Sequence, residues 1–243
     1  MIFNVITLFP EIYSKLDFGV LGKAIEKDLI SLNTIQLRNF AINKHGQIDG
    51  KIYGEEEGMV LRIEPLENAL KSINTNKKNP VINFSPQGQL LNQELLKKLS
   101  KENELVLING RYEGIDQRFI DKHVDLEISL GDYVLSNGDL ACLVFIDSIS
   151  RLVKGVIGKE ASYQKDSLYK GLLKGPVYTR PEDHDGEVVP EVLISGNHQK
   201  IANWRALQSL KTTLEKRPEI FDKIKLTKKQ KKLLEELDSK RIL

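Results

Sequence analysis

The chain is poor in cysteine and tryptophan and has no long apolar run, and each shortage closes off a class of protein. A single cysteine, Cys142, occurs in 243 residues. It can form no internal disulfide, and no Cys/His pairs stand at zinc spacing. Cys142 lies in an apolar run and reads as a core residue of a protein kept in a reducing, cytoplasmic compartment. No apolar run approaches the roughly 20 residues that a membrane helix needs. The opening residues, Met1 to Pro10, are apolar but lack a basic leader and a small-residue cleavage site, so a buried first strand fits better than a signal peptide. Two nucleotide-binding signatures are also missing: Gly-x-Gly-x-x-Gly after a strand, and Gly-x-x-x-x-Gly-Lys-Ser/Thr. An ordinary dinucleotide pocket or P-loop is therefore excluded. Neither Ser85 nor Ser136 sits in Gly-x-Ser-x-Gly, so no serine nucleophile is indicated.

What is present is ordinary in bulk and uneven in detail. A hydrophobic fraction of 40% and a charged fraction of 29% suit a soluble globular protein. From Lys200 onward there are 13 Lys/Arg against 6 Asp/Glu, whereas the remainder carries 23 against 28. A basic C-terminal tail on an acidic body is compatible with binding a phosphate backbone, and equally with a solvated helix surface.

Taken in order, Ile2 to Leu8 reads as a buried strand and Pro10 as a helix start, followed by a short helix over Val20 to Ile25. Asn33 to Leu37 alternates apolar and polar side chains, as a strand does. Residues 38–58 form a long polar connection of the kind that is usually functional. A helix opens at Pro65, and Val81 to Phe84 is a strand followed by Ser85-Pro-Gln-Gly88. Asn92 suits the cap of the next helix. Leu105 to Ile108 and Val124 to Ile128 are further strands, and Leu140 to Leu152 is an apolar helix. Residues 155–175 read as a linker and 176–190 as irregular. Helices follow, with Thr227 and Gln230 in a capping-box pattern. Strands alternating with helices predict an α/β layer with a largely parallel sheet. Glycine-rich turns after three strands, at Ser85–Gly88, Gly110–Gly114 and Leu130–Gly138, predict a pocket at the C-terminal strand ends with mostly main-chain contacts. Glu113 and Asp116 could form a carboxylate pair, though surface acids fit the spacing better.

Six separated runs then resemble one family in order and wording: Ser85-Pro-Gln-Gly88, Gly110-Arg-Tyr-Glu-Gly-Ile-Asp116, Ile128-Ser-Leu-Gly-Asp-Tyr-Val-Leu-Ser136, Asp147-Ser-Ile-Ser-Arg151, Tyr178-Thr-Arg-Pro-Glu182 and Ser195-Gly-Asn-His198. They resemble the signature runs of the bacterial tRNA (guanine-N1)-methyltransferases of the SPOUT class. The likeness extends from Leu8-Phe-Pro-Glu11 to Arg217-Pro-Glu219.

The resemblance implies a deep trefoil knot on the C-terminal side of an N-terminal domain over residues 1–160. It also implies an interdomain linker over 161–175 and a small helical, basic tRNA-binding domain over 176–243. It implies a homodimer whose active sites draw on both subunits. It implies methyl transfer from S-adenosylmethionine to N1 of the guanosine 3′-adjacent to the anticodon (tRNA position 37), with magnesium supporting activity. By motif matching, Asp166 becomes the base that takes the N1 proton and Arg151 the group at O6. The cofactor would lie against Phe84, Ser85, Pro86, Gln87, Gly110, Arg111, Tyr112, Glu113, Ser129, Leu130, Gly131, Tyr133, Val134, Leu135, Asn137 and Gly138, with Glu113 a candidate magnesium contact. Substrate contacts would fall on His45, Asp49, Tyr53, Ser162, Arg180 and Asn197. Arg205 and Trp204 could clamp RNA, although Trp204 suits a domain core as well, and His198 suits a structural hydrogen bond.

The sequence departs from the family in one loop above all. The usual Tyr-Gly-Gly-Gly, one variable residue, then Gly-Met becomes Tyr53-Gly54-Glu55-Glu56-Glu57-Gly58-Met59. Clustered glutamates would repel phosphate within about 8 Å at physiological salt. The alternative function is therefore a homologue that binds S-adenosylmethionine and tRNA with weak or no turnover. A competing idea is that the glutamates hold magnesium. Gly50 stands where a second Asp is common, Asn137 replaces a glycine, and Ala141 replaces a proline.

Overall fold

The computed structural model describes residues 1–16, 18–54, 57–73, 79–158 and 166–241. Glu55, Glu56 and Ser162 lie outside the described residues. The chain divides into two compact units, residues 1–160 and 161–243.

The first unit runs β1 (Ile2–Thr7), α1 (Pro10–Tyr13), α2 (Gly19–Glu26), β2 (Ser31–Gln36), β3 (Asp49–Lys51), β4 (Met59–Leu61), α3 (Ile63–Ser72), β5 (Val81–Leu90), α4 (Gln93–Leu99), β6 (Glu104–Asn109), α5 (Gln117–His123), β7 (Leu126–Ser129) and α6 (Asp139–Ser150). Five strands form one sheet in the order β2-β1-β6-β5-β7, and every neighbouring pair is parallel. Because side chains alternate across a strand, β1, β2, β5 and β6 each feed two cores, while β7 feeds one. Phe3, Val5, Ile82, Phe84, Leu105 and Leu107 pack with Leu96 and Leu99 of α4 and with Cys142, Phe145 and Ile149 of α6. Ile6, Val81, Val106 and Ile108 pack instead with Leu66 and Ala69 of α3 and Phe119 of α5. Burial on both faces explains why these strands read as nearly unbroken apolar runs. Cys142 is a buried core residue, as expected, and burial pushes its thiol up to about 12.

Three local departures from the sequence reading matter for the site. The long connection is not structureless: β3 and β4 pair antiparallel, Asp49 opposite Leu61 and Lys51 opposite Met59. At three residues each, these strands are too short to show a period. Helix α5 was not anticipated. Asp116 caps it, its Oδ1 accepting from the Arg118 backbone N–H at 3.0 Å, and the Arg118 guanidinium grips both carboxylate oxygens. That gives Asp116 a structural task. Strand β5 leaves the ladder after Phe84 and rejoins at Gln89, and both residues register with Ile128. Ser85 to Gly88 is thus an excursion at the strand end, and Gly88 returns flush against the backbone of Glu127 and Ile128, where a Cβ could not fit.

The second unit contains β8 (Asp183–His184), β9 (Glu187–Val188), α7 (Glu191–Ile194), α8 (His198–Lys216), α9 (Pro218–Phe221) and α10 (Lys228–Arg241). The segment read as irregular therefore holds a small antiparallel hairpin. The Thr227–Gln230 capping box forms reciprocally: the Thr227 N–H donates to Gln230 Oε1 at 2.8 Å, and the Gln230 N–H donates to Thr227 Oγ1 at 3.3 Å. Polar side chains of α8 also hold the chain before it: Ser209 Oγ donates to the Leu173 carbonyl, and the Leu173 N–H donates to Thr213 Oγ1.

Candidate methyl-donor cavity

The C-terminal ends of β5, β6 and β7 and the start of α6 surround a cavity of about 430 Å³. All sixteen residues expected around the cofactor line it. So do Asn83, Gly114, Ile115, Gln117, Ile120, Glu127, Ile128 and Ala141, which the sequence reading left out. Gln117 and Ile120 belong to the unanticipated α5. Glu127 and Ile128 stand near the end of β7, and the strand end is the signal available for them.

The wall is built largely from backbone. The Gly138 N–H donates to the Gly110 carbonyl at 2.9 Å, tying the two glycine loops together. A Cβ on Gly138 would come within 3.1 Å of Asn109 Cα and 3.2 Å of the Gly110 nitrogen, so any side chain here would push the two backbones apart by a few tenths of an ångström. Ser129 Oγ accepts from the Gly131 N–H and donates to the Gly131 carbonyl, closing the next turn. Asn137 Oδ1 accepts from the Asp139 N–H at 3.0 Å, a local turn just ahead of Gly138, the N-cap of α6. Tyr112 holds a left-handed backbone, φ +60°, rare outside glycine and asparagine. The Arg111 guanidinium lies over the Phe9 ring at 4.8 Å and the Tyr112 ring at 5.4 Å, a cation–π arrangement at the cavity wall.

The β3–β4 hairpin is fastened to the same wall. The Leu61 N–H donates to the Gly114 carbonyl, and the Asp116 and Glu113 N–H groups donate to Leu61 and Met59, each at 3.0 Å. The hairpin thereby sets β4 beside the Glu113 turn, with Asp49 on β3 one strand further out. Tyr53 is 96% exposed. His45 lies in an exposed turn, its backbone N–H held by Asn43 Oδ1.

The other expected site residues lie outside the cavity. Arg151 is the exposed C-cap of α6 in the first unit. Asp166 belongs to the second unit, where its carbonyl accepts from the Tyr169 N–H. Arg180 is exposed. Asn197 is the N-cap of α8, its Oδ1 accepting from the Lys200 N–H at 3.0 Å. His198, the first residue of α8, is exposed. Trp204 is half-buried with its ring centroid 6.4 Å from that of Tyr178, and Arg205 is exposed. Among the described residues no group of three or more His, Cys, Asp or Glu could hold a metal ion. Among the same residues no helix is long and apolar enough to cross a membrane.

The chain is similar to known proteins of one family. The family model for tRNA (Guanine-1)-methyltransferase TrmD matches residues 1–223. A tRNA (guanine-N(1)-)-methyltransferase of Clostridium perfringens (strain SM101 / Type A) is 49% identical over 231 residues, which cover 95% of this chain and 98% of that protein. The protein of the same name from Clostridium botulinum (strain Hall) is 45% identical over 237 residues, 98% of each chain. That from Clostridium tetani (strain Massachusetts / E88) is 45% identical over 231 residues, 95% of this chain and 96% of the relative.

Proposed function

The chain belongs to the tRNA (guanine-1)-methyltransferase family, and from that premise we propose that its cavity binds S-adenosylmethionine and that its target is N1 of the guanosine 3′-adjacent to the anticodon, position 37. The protein is a tRNA guanine-N1 methyltransferase. The observation that carries the donor assignment is the convergence of three glycine-bearing loops on one cavity of cofactor size. Two of those loops pack backbone to backbone, the Gly138 N–H on the Gly110 carbonyl at 2.9 Å, so the wall offers main chain to a ligand.

When bound, S-adenosylmethionine supplies an electrophilic methyl group on a sulfonium. The protein's own task is the acceptor. Guanine N1 carries a proton, and its lone pair is free only once that proton leaves. Asp166 takes the proton as general base. Negative charge then builds toward O6, where the Arg151 guanidinium stabilises it. The remaining requirement is in-line placement, which the cavity wall provides. Reaching the cavity requires the target base to leave its stack.

The Lys and Arg residues of the second unit contact tRNA phosphates and set its position, with His45, Asp49, Tyr53, Ser162, Arg180 and Asn197 as nearer contacts. Residues 161–175 are proposed as the linker that carries Asp166. A trefoil knot is proposed from membership of the family, and the close approach of Gly138 to the Gly110 carbonyl suits it. A homodimer is supported by Leu140 and Val144, one turn apart on α6 and each 48% exposed, an apolar stripe that a second copy would cover. A tRNA substrate fits a cytoplasmic location. Glu113 and Glu127 both line the cavity, but Glu127 Oε1 already accepts from Asn83 Nδ2 at 2.8 Å, and two carboxylates do not make a magnesium cage. An ion there would be held mainly by water and RNA phosphate, and no step is assigned to it.

The glutamate-bearing loop suggested a binding protein with little turnover. Relatives 45% and 49% identical that carry the enzyme's name do not favour that reading. The deciding assay supplies methyl-labelled S-adenosylmethionine and unmodified tRNA. Label is expected at guanosine 37 and absent from a tRNA with adenosine there. Label retained on the adenosine variant would overturn the assignment of position and base.

A further inference from the structure

Asp139 is not part of the cavity wall, yet it is only 2% exposed, and a carboxylate withdrawn from water needs compensation. Its Oδ1 accepts from Thr7 Oγ1 at 2.6 Å, the Tyr13 hydroxyl at 2.9 Å and Asn109 Nδ2 at 3.0 Å. Asn109 Nδ2 also donates to the Tyr13 oxygen at 2.8 Å. The four side chains come from four elements: the end of β1, α1, the end of β6 and the first residue of α6. Burial pushes the Asp139 carboxyl up, while the three donors pull against that rise.

The node has a direction. The Asn109 amide oxygen is buried without a partner, a cost that would disappear if a neighbouring group could donate to it. An ionised carboxylate can only accept, so it holds the Asn109 amide with its nitrogen inward. Asn109 immediately precedes Gly110, and Asp139 immediately follows Gly138. The N–H of Gly138 donates to the carbonyl of Gly110. The node therefore lies behind the junction of the two glycine loops.

We propose that Asp139 is a positioning residue for the methyl donor: through Asn109 and through its own backbone it fixes the separation of the Gly110 and Gly131–Gly138 loops. This rests on reading the cavity as the donor site. Asp139 touches neither donor nor guanine and acts before chemistry, on how closely the wall fits the bound donor.

The test is Asp139→Asn, which keeps the shape, removes the charge and frees the Asn109 amide to turn. Thr7→Val removes a single donor and carries the test if Asp139→Asn does not fold. Leu66→Ala, in the core that does not contain the node, serves as a destabilised control. Asp139→Asn should raise the KM for S-adenosylmethionine about tenfold, the loss expected for charge-assisted hydrogen bonds, with kcat at saturating donor within about twofold. Thr7→Val should move the same parameter in the same direction by less. An unchanged donor KM in both variants, or an equal rise in Leu66→Ala, would reduce Asp139 to fold maintenance and overturn the proposal. Calorimetric titration with S-adenosylmethionine separates the premise from the inference. Failure of the wild-type protein to bind, or unaltered binding by Gly138→Val, sinks the cavity assignment itself.

Discussion

Residues 1–160 and 161–243 bury themselves differently. In the first unit a five-stranded sheet is covered on both faces, and two apolar cores hold the strand ends that frame the cavity. Among the described residues of the second unit only Leu210, Thr213 and Leu233 are buried, and the rest is largely exposed helix surface rich in lysine. The contrast fits a division of labour. A methyl donor must be held to within fractions of an ångström, which takes a packed frame. A phosphate backbone is met by charges at the surface, which takes none.

The largest expected effect separates binding from proton removal. Asp166→Asn should lower kcat by roughly 10² to 10⁴, the range for losing a general base. Donor affinity, measured by calorimetry, should stay within about twofold. If donor affinity falls along with kcat, Asp166 belongs to the donor site and the division between the units fails.

Next comes the asymmetry of stability. Leu210→Ala should cost about 2–5 kcal/mol, as buried leucine truncations do. With so few buried neighbours the loss should be confined to the second unit: faster amide exchange over residues 166–241, donor binding retained, tRNA affinity reduced. Leu107→Ala, in the first unit's core, should instead weaken donor binding as well. Equal effects of both variants on both ligands would show that the units stand or fall together.

A smaller effect probes the wall directly. Gly138→Val forces a Cβ to within 3.1 Å of Asn109 Cα and 3.2 Å of the Gly110 nitrogen. Overpacking of about 1–3 kcal/mol predicts a donor Kd roughly tenfold to a hundredfold weaker. Affinity for tRNA in the absence of donor should not change.

The same contrast governs what could be read before the structure. The buried strands and the apolar helix α6 announce themselves because two-sided burial imposes long apolar runs. The cavity loops do so through glycine at strand ends. Helix α5 was missed because its seven residues, Gln117–His123, are mostly polar and its cap, Asp116, reads equally well as a surface acid. The β3–β4 hairpin was missed because its stabilising bonds run to the distant Gly114 turn, and long-range main-chain pairing leaves no local pattern. The Asp139 node was hidden for a related reason: Thr7, Tyr13, Asn109 and Asp139 are scattered over the first 139 positions, and only the sheet brings them together. The roles proposed for Arg151 and Asp166 have no physical signature in the chain and rest on motif resemblance alone.

The smallest effect concerns a surface tie within the first unit. Glu67 on α3 accepts from Lys122 Nζ and contacts His123 Nε2, both on α5 and both at 2.8 Å. The Lys122 ammonium, with His123 second, holds the Glu67 carboxyl down at about 2, from an ordinary 4.5. A carboxylate whose pKa is lower in the folded state favours folding above its unfolded value and loses that contribution as pH falls through the folded one. The tie should therefore be complete above pH 4.5 and vanish toward about 2. The Tm of the wild-type protein should exceed that of Glu67→Gln near neutrality, and the gap should close through that window. Because the Lys122 end of the pair is 64% exposed, the gap should be modest and should shrink with added salt. A gap that persists unchanged at the acid end would mean that Glu67 works through packing, and that even the surface of the first unit is held by contacts rather than by charge.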